Sequence, residues 1–165
     1  MSLATIMLEQ LAVGRRVVAD GHEMVPAWRI ETPEGAFLIL TQFRSDKTEQ
    51  RERALSAMSR FMTWKMATSF VLTAETGVDA ERSCGGDEAL VVIGVSRHER
   101  LAAMQRITRG GAVGFSEVQW LPSHRVDERY FKMLPTGSTE LTAEDEKELA
   151  RMFGKNGQLS AKRVN

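Results

Sequence analysis

Residues 96–111 read Ser96-Arg97-His98-Glu99-Arg100-Leu101-Ala102-Ala103-Met104-Gln105-Arg106-Ile107-Thr108-Arg109-Gly110-Gly111, and the fold turns on whether they form a helix or a strand. A helix has local support: Ser96 with Glu99 three residues on is a capping box, Leu101-Ala102-Ala103-Met104 has good helix propensity, and Gly110 is a stop. A strand has the neighbours on its side. Upstream, Ala89-Leu90-Val91-Val92-Ile93-Gly94-Val95 is a β-prone run, so Ser96-Arg97-His98-Glu99 serves as a hairpin loop. A strand over 101–108 then turns at Arg109-Gly110-Gly111 into another over 113–121. An antiparallel meander needs only short connections, whereas a helix here would require a crossover to a parallel strand. We therefore read a strand over 101–108, with the helix as its alternative.

Upstream of this meander the pattern alternates between helix and strand. Leu3, Met7, Leu11 and Val18 recur at spacings of four and seven, the stripe of an amphipathic helix over 3–18 that Asp20-Gly21 ends. Ala27-Trp28-Arg29-Ile30-Glu31-Thr32 alternates large and charged residues. Pro33-Glu34-Gly35 then leads into the apolar run Ala36-Phe37-Leu38-Ile39-Leu40, completing a hairpin. The first of these strands has a wet face. The second is apolar on both, which predicts a central position in the sheet. Asp46 and Glu49 open a helix over 46–67, and on a wheel of about 100° per residue Ala54, Leu55, Met58, Phe61, Met62 and Met66 share one arc. A strand over 69–74 follows, then an exposed connection over 77–87. Near the other end, Arg129-Tyr130-Phe131-Lys132-Met133-Leu134 is a short element, and Thr142 with Asp145 starts a last helix that runs to Phe153 and stops at Gly154.

These elements predict a single α+β domain over 1–153: a largely antiparallel sheet of five or six strands, helices 3–18 and 46–67 packed on it, and a peripheral C-terminal helix. Residues 154–165 read as a flexible tail. A chain of 165 residues is large enough to build its core without disulfide or structural metal, and its one cysteine, Cys84, makes an internal disulfide impossible. With 22 basic against 22 acidic residues there is no overall field to coat nucleic acid or anionic lipid. No apolar stretch nears the roughly 18–20 residues of a membrane span. Met1-Ser2-Leu3-Ala4-Thr5-Ile6-Met7-Leu8 lacks the basic start of a signal peptide and Glu9 interrupts it, so a cytoplasmic chain is expected.

Motifs that name a reaction are missing: Gly110-Gly111-Ala112-Val113-Gly114 has neither the dinucleotide glycine pattern nor a P-loop lysine, and there is no nucleophile elbow. No metal or cofactor is expected. The catalytic candidates are Cys84, flanked by Gly85-Gly86, with His98 or His124 as its base, against the plain reading of an incidental thiol in a loop. Glu75 is the carboxylate that would complete such a cluster. The binding candidates are two. Arg53, Arg60 and Trp64 fall about 140–180° from Leu55 on the wheel, so that Arg60 can stack on an outward indole as interface anchors do. Alternatively another element, such as the N-terminal helix, covers Trp64. The second candidate is the segment 97–109, where Arg97, Arg100, Arg106 and Arg109 against Glu99 leave a formal excess of three. On a strand these arginines divide between two faces, Arg100 and Arg106 on one, Arg97 and Arg109 on the other. The sequence thus favours a non-catalytic protein-interaction or oligomerising module. The alternatives are an enzyme without a portable motif, and a nucleic-acid-binding accessory protein.

Overall fold

A computed structural model describes residues 1–41, 48–77, 88–136 and 140–164. The chain is α+β, and its sheet is antiparallel at every strand pair. In chain order the elements begin with α1 (Leu3–Ala19), β1 (Ala27–Thr32), β2 (Gly35–Leu40), α2 (Thr48–Trp64), β3 (Ser69–Gly77), β4 (Glu88–Ser96) and β5 (Arg100–Thr108). Then come β6 (Gly114–Phe115), β7 (Gln119–Leu121), the short α3 (Glu128–Phe131), α4 (Ala143–Met152) and β8 (Lys162–Val164). The strand order is β6-β5-β4-β3-β1-β2-β8, with β7 also paired to β5.

The segment on which the fold turned is a strand. Tertiary pairing overrides the helix propensity of Ala102-Ala103-Met104, because β5 has a ladder on each side: Ala103 stands opposite Val92 of β4 and opposite Trp120 of β7. The capping pattern at Ser96 is real but serves a turn. Its Oγ accepts the amides of His98 and Glu99 at 3.2 and 3.0 Å while its own amide donates to the Glu99 carbonyl. Three details differ from the sequence reading. The expected strand over 113–121 is divided into β6 and β7, which raises the strand count. Beyond Gly154, Lys162–Val164 adds a strand to β2 where a tail was expected. And β2 is not central: only β8, three residues long, lies outside it.

Each face of the sheet has its own core. On one face α2, α3 and α4 cover Trp28, Ile30, Phe37, Ile39, Phe70, Leu72, Ile93 and Val95. Phe61 of α2 is the hub there, with the Phe37 ring edge-on at 5.6 Å and the Phe153 ring at 4.5 Å, so the outlying C-terminal helix is anchored through Phe153 and the buried Leu149. On the other face a single helix, α1, packs Leu3, Met7, Leu11 and Val18 over Val71, Leu90 and Val92. Gly94 lets α1 lie this close: a side chain there would stand 2.5 Å from Met7 Sδ. The buried arc of α2 includes Ala54, Leu55, Met58, Phe61 and Met62 as expected, but not Met66. The helix stops at Trp64, and Met66, at φ 56°, caps it from the left-handed region with its side chain 66% exposed. The amides of Met66 and Ala67 donate back to the Thr63 and Met62 carbonyls, the closing pattern in which glycine is usual. The helix start expected at Asp46 lies outside the described residues.

Candidate docking face

The two helical layers are unequal. A helix is about 10–12 Å across and strands repeat every 4.8 Å or so, so α1, seated over β3 and β4, covers the sheet only in part: Ala27 of β1 and Ala103 of β5 are still buried, whereas Leu40 at the end of β2 is exposed. Beside it, on β1, β2 and β8, runs an apolar groove of about 370 Å³. Val13 and Val17 of α1 form one wall, and Met24, Ala27, Leu38, Leu40 and Val164 form the floor and far side. Gln10, Glu23 and Arg29 supply its polar atoms. Arg29 is already engaged, its Nε 2.9 Å from Glu31 and Nη1 3.8 Å from Glu9 of α1.

Exposed apolar side chains gather on this face. Leu8 and Val13 project from α1 and Leu40, 50% exposed, from β2. Trp120, 48% exposed, stands by its register opposite Ala103 on the same face beyond the other flank of α1. Apart from Met1 and the cap residue Met66, these are all the large exposed apolar side chains among the described residues. Charge is sparse here as well. The 17 residues of α1 hold three charged side chains, whereas the 10 residues of α4 hold six.

The residues singled out from the sequence are scattered. Trp64 is half-buried rather than outward: its ring is edge-on to Phe61 at 6.0 Å, and the cation over it is Lys65, 4.1 Å from the centroid. Arg60 turns instead to α4, 2.9 Å from Asp145 and 3.5 Å from Glu148. The α1 helix, on the opposite face of the sheet, has no part in covering Trp64, and Arg53 is exposed. Nor do the 97–109 arginines form a patch. Arg97 is exposed in the β4–β5 turn, Arg100 lies over the Phe131 ring at 4.9 Å, and the exposed Arg106 shares its face. Arg109 is held at the far end of β5 by Glu88 at 2.5 Å and Glu75 at 2.9 Å. Those two carboxylates, the Glu88 hydrogen bond first, raise the guanidinium pKa.

Among the described residues the catalytic candidates do not converge either. Glu75 sits at one end of β4, opposite Leu90, and gives its other oxygen to the Met24 amide. His98 is in the turn at the other end; across a nine-residue strand that is roughly 25–30 Å. His124 is exposed in a helical turn (Ser123–Arg125) after β7. Cys84 lies outside the described residues. Among those described, no group of three or more His, Cys, Asp or Glu could hold a metal ion. A charged cluster absent from the sequence reading links α2 to α3: Arg129 pairs with Asp127 at 2.8 Å and with Glu52, which holds the Asp127 carboxyl below the usual range, while burial pushes the neighbouring Tyr130 hydroxyl up. It ties two elements together.

No family model matches the chain, and neither a curated sequence nor a solved structure is significantly similar to it. The groove was missed from sequence because its signal is distributed: a helix with few charges and a strand apolar on both faces each read as ordinary core. Together they form a surface whose apolar content exceeds what the chain itself covers. Chemically it can exclude water from an apolar partner and orient it through a few rim charges. It offers no acid, base or nucleophile at hydrogen-bond distance from one another along its lining apart from the Arg29 ion pairs.

Proposed function

We propose that the protein is a non-catalytic interaction module that docks a protein partner on the α1 face of its sheet, in the cytoplasm. The observation that carries this reading is β2. It has the composition of a strand buried on both sides, yet Leu40 is half-exposed beside an open apolar groove. Patches of half-exposed apolar residues with a polar rim are the usual character of protein interfaces. No helix among the described residues is long and apolar enough to cross a membrane. The enzyme alternative rests on Cys84 and is addressed by alkylation: a thiolate reactive well below about pH 8.5 would favour it.

The test is site-specific photocrosslinking in the cell that makes the protein. A benzophenone side chain in place of Leu40 should yield a discrete protein adduct, while the same group in place of the exposed Glu140 should not. Absence of any adduct at both Leu40 and Trp120 would exclude this face as a docking surface.

A further inference from the structure

We propose that the groove beside α1 binds a neutral apolar molecule of medium size with a hydrogen-bond acceptor at one end, the chemistry that an alkyl ketone, ester or amide presents. This goes beyond the docking reading: the molecule fills the slot, and a protein partner meets the rim around it. The first argument is size and lining. The groove has a volume of about 370 Å³. Small-molecule sites run to roughly 300–1,000 Å³ and are apolar with a few placed polar groups. At about 30 Å³ for a group the size of water, the groove has room for roughly twelve non-hydrogen atoms.

The second argument is that polarity is sorted along its length. Two rows cross the floor: Ala27 faces Leu40, and two residues further along β1, about 7 Å away, Arg29 faces Leu38. The helix follows the same order. Glu9 reaches Arg29, so the next residue, Gln10, stands at that end. Val13 and Val17 lie toward the end of α1 from which the chain returns through Met24 and Val25 to Ala27. Gln10 and Arg29 thus make one end polar, and Val13, Val17, Met24, Ala27 and Leu40 line the rest. A molecule with one polar end has a single way to lie in such a slot.

The third argument is the state of Arg29. Its side chain is only 16% exposed, its Nε donates to Glu31 at 2.9 Å, and its Nη1 stands 3.8 Å from Glu9, beyond hydrogen-bond length. Among the described residues its terminal nitrogens therefore donate no hydrogen bond, although the side chain lines the groove. A donor shielded from water and left without an acceptor is costly, and a carbonyl oxygen at this end supplies one. The charge of Arg29, in contrast, is already matched by Glu9 and Glu31, and Glu23 adds a carboxylate to the lining. An anionic head would face these carboxylates and a cationic head the guanidinium, so the acceptor that fits is uncharged.

Titration of methyl-labelled protein, followed by two-dimensional NMR, tests this with three probes of one chain length: decan-2-one, decanoate and decylammonium. Decan-2-one should shift the methyl resonances of Val13, Val17, Met24, Leu38 and Leu40 and saturate below its solubility limit. The two charged probes should each bind at least tenfold more weakly, a comparison made on the wild type that needs no variant. Val13→Trp, which fills the slot from a position 42% exposed on α1, should abolish the shifts. Gln10→Glu, which offers the free donors of Arg29 a carboxylate of the chain's own, should weaken the ketone at least fivefold. Thermal melts confirm that both variants are folded. Absence of saturable shifts at these methyls in the wild type overturns the inference. So does a charged probe that binds as tightly as the ketone, a set of shifts that survives Val13→Trp, or a folded Gln10→Glu chain that binds the ketone as the wild type does. The docking reading fails separately: a chain that ignores all three probes but crosslinks to a protein through position 40 keeps the face and loses the ligand. One that takes up the ketone and yields no adduct at positions 40 and 120 keeps the ligand and loses the partner.

Discussion

Gly94→Ala probes the contact that seats α1 on the sheet. The new methyl would stand 2.5 Å from Met7 Sδ, 3.0 Å from Met7 Cγ and 3.1 Å from Leu3 Cγ, where ordinary carbon contacts are about 3.5–4.0 Å. The thioether must retreat by about 1 Å, and Met7 is completely buried, so the movement passes to Leu3 and to the helix. Overpacking of this size costs roughly 1–3 kcal/mol. Removing a glycine from a strand returns about 0.5–1 kcal/mol through the unfolded chain. The net expectation is a loss of about 1–2 kcal/mol, or roughly 2–8 °C in Tm for a chain of this length. Urea denaturation followed by far-UV circular dichroism measures it. Met7→Ala alone should cost about 2–5 kcal/mol by leaving a cavity. The pair Met7→Ala/Gly94→Ala should cost at least about 1 kcal/mol less than the sum, because the alanine methyl fills part of the vacated space. A Gly94→Ala chain as stable as wild type, or strict additivity in the double variant, refutes the close seating of α1 on β4.

Other expectations follow from single contacts. Met66→Gly should stabilise the chain by about 0.5–1 kcal/mol, since a non-glycine residue in the left-handed region costs roughly 1–2 kcal/mol and the added flexibility of glycine offsets only part of it; a destabilised variant in the same urea titration counts against the cap. Thr41→Val removes the acceptor, 3.0 Å away, of the buried Trp28 indole N–H and should cost about 1–3 kcal/mol, with a shift in tryptophan emission as the second readout. Asp145 has its pKa lowered, first by the Thr142 backbone hydrogen bond, then by the Thr142 hydroxyl and Arg60. A carboxylate depressed in the folded state adds stability above its unfolded pKa near 4, and that contribution is lost as pH falls through the folded value. Asp145→Asn should therefore narrow the stability gap to wild type only below about pH 4, and a gap that instead changes between pH 6 and 8 would assign the effect elsewhere.

Much of the fold was legible because strand signals are local. The hairpin at Pro33-Glu34-Gly35, the core arc of α2 and the capping box at Thr142 and Asp145 all depend on neighbours within a few residues. Segment 96–111 was harder, since its residues prefer a helix, and only the preceding strand argued otherwise. The end of α2 was misread for a similar reason: a helical wheel continues indefinitely, and nothing in Thr63-Trp64-Lys65-Met66 announces a cap made by methionine. Strand β8 was invisible because Lys162-Arg163-Val164 is too short and charged to carry an alternating pattern; its order comes from β2. The site was less legible still. The arginines of 97–109 and the pair Arg60 and Trp64 were grouped by proximity in sequence, but pairing across space decided their roles: Arg109 belongs to Glu75 and Glu88, and Arg60 to α4.

The reading of β2 is where the sequence and the isolated chain disagree in an informative way. Ala36-Phe37-Leu38-Ile39-Leu40 has the composition of a strand covered on both faces, and within one chain only one face is fully covered: Phe37 and Ile39 are buried under α2, whereas Leu38 and Leu40 border open space. Composition records surfaces dried by a partner as well as those dried by the chain itself, and this is the sense in which β2 supports the proposed docking face. The outer side of α1 differs from β2: Thr5, Glu9 and Arg16 form its exposed pole, so the apolar surface that the chain leaves open lies on the flank of the helix at Val13 and on β2 at Leu40.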